Sequence, residues 1–254
     1  MELTQQQQYE KIEDPLPLQR GNVRLSNLEV LNAILYVAEQ GCKWRGLPGR
    51  FGNWHTIYVR MNRWAKSGVL DRVLEKLQVE QIVRIKIEAF ALDSTSVKVH
   101  PDGTGALKKN PASHRQVARR MEHRDSYGCR ECSNGHNVCS ISGQRHDAPE
   151  SRALLSELGP MPEKLCLLMD RAYQGDETRQ LVLDLGMIPV VPPKSNRIEP
   201  WEYDRALYKK RNQIKRLFRR LKGFRPNFSR FEKLDVVFVA FLYFALIVEA
   251  LTLA

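Results

Sequence analysis

The chain has 254 residues, 40 of them Lys or Arg against 29 Asp or Glu, for a formal net charge of +11 and a pI near 9.5. That cationic excess favours an anionic partner, and the length allows one large domain or two modest ones with ample core. Five cysteines, with Cys42 and Cys166 alone in apolar surroundings, argue against a secreted disulfide framework.

The N-terminal stretch "MELTQQQQYEKIEDPLP" has neither the basic start nor the apolar core of a secretory signal, so a cytoplasmic protein is expected. "LSNLEVLNAILYVAEQGCKWRGLP" opens with a capping-box pattern, Ser26 three residues before Glu29. Leu28, Leu31, Ile34, Leu35 and Val37 then fit a helix that ends at Gly41. "RFGNWHTIYVRMNRWAKSGVLDRVLEKL" reads as two helices broken at Gly68, the first burying Trp54, Ile57, Tyr58, Met61 and Trp64. Its other side carries Arg60, Arg63 and Lys66, which suits a helix-turn-helix-like DNA reader. A plain three-helix bundle with an aromatic core fits the same pattern.

Beyond residue 85 the texture changes. "IKIEAFALDSTSVKVH" alternates as a strand does, and "KLCLLMDRAYQGDETRQLVLDLG" is a short apolar run, then Asp170, then a helix. "MIPVVPPK" gives another buried strand, so a mixed α/β sheet is expected. Ligand chemistry in such sheets gathers at the carboxyl ends of strands, where Asp93 and Asp170 are expected to sit. Two such carboxylates can share Mg²⁺, although a turn or helix cap is the commoner role of Asp after a strand.

Between the two aspartates, Cys129, Cys132, His136 and Cys139 offer soft ligands, but the gaps after Cys132 are tighter than usual zinc spacings. Near the C-terminus, "YKKRNQIKRLFRRLKGF" (208–224) reads as one helix with eight cations and no Asp or Glu. Ile214, Leu217, Phe218 and Leu221 form its apolar stripe, and Tyr208, Arg211, Lys215 and Lys222 form another beside it. A one-sign run repels itself unless a polyanion neutralises it, which points to nucleic acid. The cations expected to meet DNA are Arg60, Arg63, Lys66, Lys209, Lys210, Arg211, Arg216, Arg219, Arg220 and Lys222. "VVFVAFLYFALIV" (236–248) is thirteen apolar residues, short of a membrane span and expected as a core helix.

Together these segments resemble the DDE transposases of bacterial insertion sequences, in the superfamily of the IS-four and IS-five groups. "LNAILYVAEQGCKWRGLPGRFGNWHTIYVRMNRWAKSGV" is similar to that group's N-terminal helical domain. "ALDSTSVKVH" resembles the segment of its first catalytic Asp, here Asp93, and "LMDRAYQGDETR" that of the second, here Asp170. The resemblance implies a helical, helix-turn-helix-like DNA-binding domain over 1–85 and an RNase H-like α/β core over 86–254. It also implies two Mg²⁺ (or Mn²⁺) ions held by Asp93 and Asp170, duplex DNA as partner (terminal inverted repeats and target), and a homo-oligomer on DNA.

The family's third signature, Tyr-x₂-Arg-x₃-Glu-x₆-Lys, fits at Tyr208, Arg211 and Lys222, with Lys215 at the Glu position. An ammonium there brings the wrong charge toward two cations and cannot ligate while protonated. Impaired cleavage is therefore expected, with a non-catalytic DNA-binding protein as the alternative. A second departure covers 111–142, where the family's alternating strand is missing as though by compensating frameshifts; a stretch scrambled in that way would cost the core sheet a strand pairing, the loss expected in that case.

Overall fold

The computed structural model describes residues 6–79, 89–100, 122–129, 137–142, 151–152, 155–156 and 165–253. The chain divides into two compact units. One takes its residues from 1–84, 98–120 and 220–254, the other from 85–97 and 121–219. This division differs from a cut at residue 85, because the C-terminal residues cluster with the N-terminal helices.

The first unit is mainly helical. It begins with α1 (Gln6–Glu10), which the sequence reading did not anticipate, followed by a turn that buries Ile12 and Leu16. Helix α2 (Asn27–Gln40) starts at the expected capping box: Ser26 Oγ accepts from Glu29 N–H at 3.2 Å, and Glu29 Oε2 accepts from Ser26 N–H at 2.7 Å. The Ser26 N–H first, and then the Ser26 hydroxyl, both donating to Oε2, hold the Glu29 carboxyl below its ordinary range. The helix stops at Gly41, whose φ of 65° is the left-handed conformation that favours glycine. Helices α3 (Trp54–Lys66) and α4 (Val69–Val79) are separated at Gly68, also left-handed. Ile57, Met61 and Trp64 are buried as their spacing predicts, while Trp54 and Tyr58 are half-buried.

The C-terminal helix runs beyond the thirteen apolar residues: α9 spans Asp235–Leu253 and packs against α3 and α4. It is long and apolar enough to cross a membrane, yet 67% of its 18-residue apolar window is buried inside the protein, as a core helix requires. Glu249 does not end it, because Arg220 Nε reaches that carboxylate at 2.6 Å. Burial and the neighbouring Asp71 push the Tyr243 phenol up to about 12. Ahead of α9, helix α8 (Arg225–Phe228) leads into strand β6 (Ser229–Arg230). Buried Arg230 donates to Glu232 O and pairs with Asp235 at 2.6 Å, and Trp44 Nε1 donates to Glu232 Oε1 at 2.8 Å.

The second unit is built on a sheet ordered β3-β2-β1-β4-β5. Its strands are β1 (Ala89–Val99), β2 (Glu122–Cys129), β3 (Asn137–Ser142), β4 (Cys166–Met169) and β5 (Ile188–Val190). β1, β4 and β5 run parallel, and β2 and β3 pair antiparallel from His123↔Ser142 to Gly128↔Asn137. The expected loss of strand pairing in 111–142 is therefore not seen at 122–129 and 137–142. Ladder bonds are made by the main chain, so a polar sequence without clean alternation can still pair. The end of β1, at Lys98 and Val99, pairs parallel with β6.

Alternation along β4 divides the core of this unit. Leu167 and Met169 join Leu92, Tyr173, Val182 and Val191 on one side, whereas Leu168 and Val190 pack with Tyr203, Leu207 and Tyr208 on the other. Helices α5 (Asp176–Asp184) and α6 (Arg205–Lys209) supply Val182 and Leu207 to these clusters. Both faces of the parallel strands are covered, as parallel sheets require.

Two outcomes follow. Ala at position 41 would place its Cβ 2.6 Å from Arg225 Cβ in a left-handed backbone. Gly41→Ala is expected to cost about 2–4 kcal/mol, read as a lower urea midpoint. Burial raises the Glu232 carboxyl above its ordinary 4.5, outweighing the Trp44 hydrogen bond and Arg230. A raised carboxyl stabilises the fold fully below its unfolded value, and that stability is lost as pH rises through the folded value. Glu232→Gln keeps the acceptor for Trp44, so it should melt like the native protein near pH 4 and above it at pH 8; a melting difference independent of pH would contradict this.

Candidate active site and nucleic-acid interface

The parallel register of β1 and β4 ends at Leu92↔Met169, so Asp93 and Asp170 each directly follow the last residue of that ladder. Asp93 lies inside β1 rather than at its end, because the strand continues through Thr95 and Val97, β-branched residues that suit extended chain. It does directly follow the last residue of β1 paired with β4. The Asp93 side chain lies outside the described residues.

Asp170 takes the cap role that is common after a strand, and it also meets a cation. As the N-cap of a 3₁₀ turn (Arg171–Tyr173), its Oδ1 accepts from Arg171 N–H at 2.6 Å. Its Oδ2 faces Arg211 Nη1 at 3.0 Å, and the side chains are 38% and 8% exposed, respectively. The Arg211 guanidinium lies 5.6 Å from the Tyr208 ring centroid. Burial is the main cause of the raised Tyr208 phenol, and Arg211 opposes it.

Residues 208–224 do not form one helix. Helix α6 ends at Lys209, turn bonds run from Lys210 N–H to Leu207 O and from Arg211 N–H to Tyr208 O, and α7 spans Asn212–Leu221. At this break Arg211 is buried while its neighbours Lys209 and Lys210 stay exposed. Arg211 is thus corrected from a DNA-facing cation to a buried partner of Asp170. Lys222 falls beyond α7, half-buried, so the stripe from Tyr208 to Lys222 is interrupted.

On α7, Lys215, Arg216 and Arg219 are exposed, Phe218 and Leu221 are buried, Leu217 is half-buried, and the Ile214 side chain lies outside the described residues. Arg220 is engaged by Glu249 at 2.6 Å. In the helical unit, Arg63 and Lys66 are exposed, but Arg60 donates to Leu25 O at 2.9 Å and fastens the entry to α2. Burial first, then Arg63, lowers the Arg60 guanidinium from its ordinary value.

Comparison with known proteins identifies the chain. Residues 84–248 match the sequence model of the family described as "Transposase DDE domain". This chain belongs to the DDE transposase family. Residues 4–74 match a second model, described as "Putative transposase of IS4/5 family (DUF4096)". Among curated relatives of this transposase, "Uncharacterized protein y4sN" of Sinorhizobium fredii is 36% identical over 85 residues, 34% of this chain and 65% of that protein. "Insertion element IS402 uncharacterized 16.2 kDa protein" of Burkholderia cepacia is 33% identical over 82 residues, 31% of this chain and 56% of that protein. The transposase chain thus spans less than two thirds of either relative's length. No solved structure matches it.

DDE transposases generally use divalent metal ions, and Asp170, the described member of the expected carboxylate pair, has both oxygens engaged by protein groups. Asp170 has one oxygen on a main-chain N–H and the other on a guanidinium, and Lys215 is an exposed cation. Among the described residues no three His, Cys, Asp or Glu side chains come together. Cys132 and His136 of the candidate zinc site, like the remainder of 111–142 apart from β2 and β3, lie outside the described residues.

The sequence reading missed one arrangement near Asp170. The Trp201 ring is flanked by the guanidinium groups of Arg179 at 3.6 Å and Arg197 at 4.6 Å, and its Nε1 donates to Val191 O at 2.8 Å. Arg197 also pairs with Asp176 at the start of α5. Buried Gln174 accepts from Lys194 N–H at 3.1 Å, fixing the turn after Asp170 to the loop after β5. No periodicity signals these contacts, since their members come from separate segments.

Proposed function

We propose that this chain is an insertion-sequence transposase that grips duplex DNA through the cationic face of α7, with a cleavage centre impaired by Lys215. The observation that carries the reading is the exposure of Lys215, Arg216 and Arg219 on one short helix. Three like charges within five residues repel one another in water and are relieved by a row of phosphates. Arg63 and Lys66 on α3 offer a second cationic surface, which supports the helix-turn-helix-like reading of residues 1–85.

The sheet order β3-β2-β1-β4-β5, with parallel strands on one side and an antiparallel hairpin on the other, supports an RNase H-like core within residues 86–254. The substrates in this reading are the element's terminal inverted repeats and a target duplex, held by a homo-oligomer in the bacterial cytoplasm. In an intact centre Mg²⁺ or Mn²⁺ supplies the Lewis acid for phosphodiester hydrolysis and strand transfer. Lys215 favours phosphate binding over cleavage, because an exposed ammonium strengthens the grip on a polyanion and weakens a cation site.

Duplex binding in chelator, followed by fluorescence anisotropy across salt concentrations, tests the grip. Replacing Arg216 and Arg219 with Gln should weaken binding and flatten the log–log salt slope by about 2, roughly one per lost phosphate contact. An unchanged slope rules out the α7 interface. Nicking of the gene's own flanking ends with Mg²⁺ or Mn²⁺ tests the centre. The native protein should give background cutting and Lys215→Glu at least about tenfold more, an exposed substitution expected to leave stability within about 0.5 kcal/mol. Efficient cutting by the native protein would refute the assignment of Lys215.

A further inference from the structure

We infer that Arg211 is the resident counter-ion of Asp170 in the DNA-free protein and occupies the place a divalent cation would take. The inference rests on reading Asp170 as the family's metal-binding position, and it goes beyond the effect of Lys215.

Both carboxylate oxygens are engaged: Oδ1 accepts from Arg171 N–H at 2.6 Å, and Oδ2 pairs with Arg211 Nη1 at 3.0 Å. The two partners differ in burial. Asp170 is 38% exposed, whereas the Arg211 side chain is 8% exposed. A cation reaching Asp170 through its open side would therefore confront a guanidinium that cannot retreat into water without moving the chain. Removing Asp170 would strand the buried Arg211 charge, the costly outcome for a desolvated ion.

The local fold commits Arg211 to this role. The chain leaves helical geometry between α6 and α7, with turn bonds at Lys210 and Arg211, and the neighbouring cations Lys209, Lys210, Arg216 and Arg219 remain exposed. Arg211 alone within 209–216 is buried among the residues whose side chains are described. Its planar fork suits a fixed carboxylate better than an ammonium would. One turn further on, Lys215 offers no carboxylate to help a metal ion draw Asp170 away.

The test uses full-length protein without DNA. Mn²⁺ binding is followed by the loss of its free-ion paramagnetic resonance signal in the native protein, Asp170→Asn, Arg211→Gln and the double variant. Urea unfolding of the same four proteins in chelator measures the pair itself. We expect the native protein and Asp170→Asn to bind Mn²⁺ equally weakly. Arg211→Gln should bind it at least about tenfold more tightly, and the double variant should lose that gain. In chelator each single variant should unfold at lower urea than native, and the double should lose less than the sum of the two.

Mn²⁺ binding by the native protein that disappears in Asp170→Asn overturns the inference, as does a folded Arg211→Gln with no gain, or strict additivity in urea. Should Arg211→Gln fail to fold, the comparison of native protein with Asp170→Asn still decides: equal affinity supports it and a loss overturns it. None of these readings involves DNA. Failure of the α7 interface would therefore show only in the anisotropy series, and failure of the counter-ion only here.

Discussion

Four parallel residue pairs, Ala89↔Cys166 through Leu92↔Met169, set the geometry of the sheet unit. In this register Leu92, Leu167 and Met169 enter one core and Leu168 enters the other. A slip of one residue would exchange the faces of β4, taking Met169 away from Tyr173 and Val182. The same register makes Asp93 and Asp170 the residues that directly follow the ladder on its two sides. Core and candidate centre therefore share one constraint, and a mutation that shifts the ladder disturbs both.

Charge is the second organising force. The segment 208–224 has eight cations with no carboxylate of its own, so relief must come from elsewhere. Part of it comes from within the fold: Asp170 takes Arg211, and Glu249 takes Arg220. Lys215, Arg216 and Arg219 are left toward solvent. Arg211, at the helix break, is buried between exposed Lys210 and Asn212. What remains outside is a compact cationic face, which is why a polyanion is the natural partner.

Features encoded locally were legible in the sequence. The capping box at Ser26, the left-handed glycines 41 and 68, and the buried stripe of α3 depend on residues within a few positions of each other. The motifs around Asp93 and Asp170 pointed to the family that the comparisons identify. Features that depend on distant partners were not legible. Arg211 looked like another surface cation because its carboxylate lies in a different segment. The strands β2 and β3 were hidden because main-chain bonds, not side-chain alternation, join them. The Arg179–Trp201–Arg197 stack joins a helix to the loop after β5, and α9 runs on past its apolar stretch through Glu249, which pairs with Arg220.

The helical unit is assembled from both ends of the sequence, and this bears on the order in which it can form during synthesis. Gln8 donates to Leu251 O at 3.2 Å, across 243 residues, and α3 and α4 lie against a helix that emerges from the ribosome only after the whole sheet unit. Until then the apolar sides of α3 and α4 have no cover from α9. Contacts this distant in sequence close slowly and lengthen the time that apolar surface stays open. A nascent chain halted before residue 235 would present those faces to its neighbours, so the yield of folded protein depends on completing its last nineteen-residue helix.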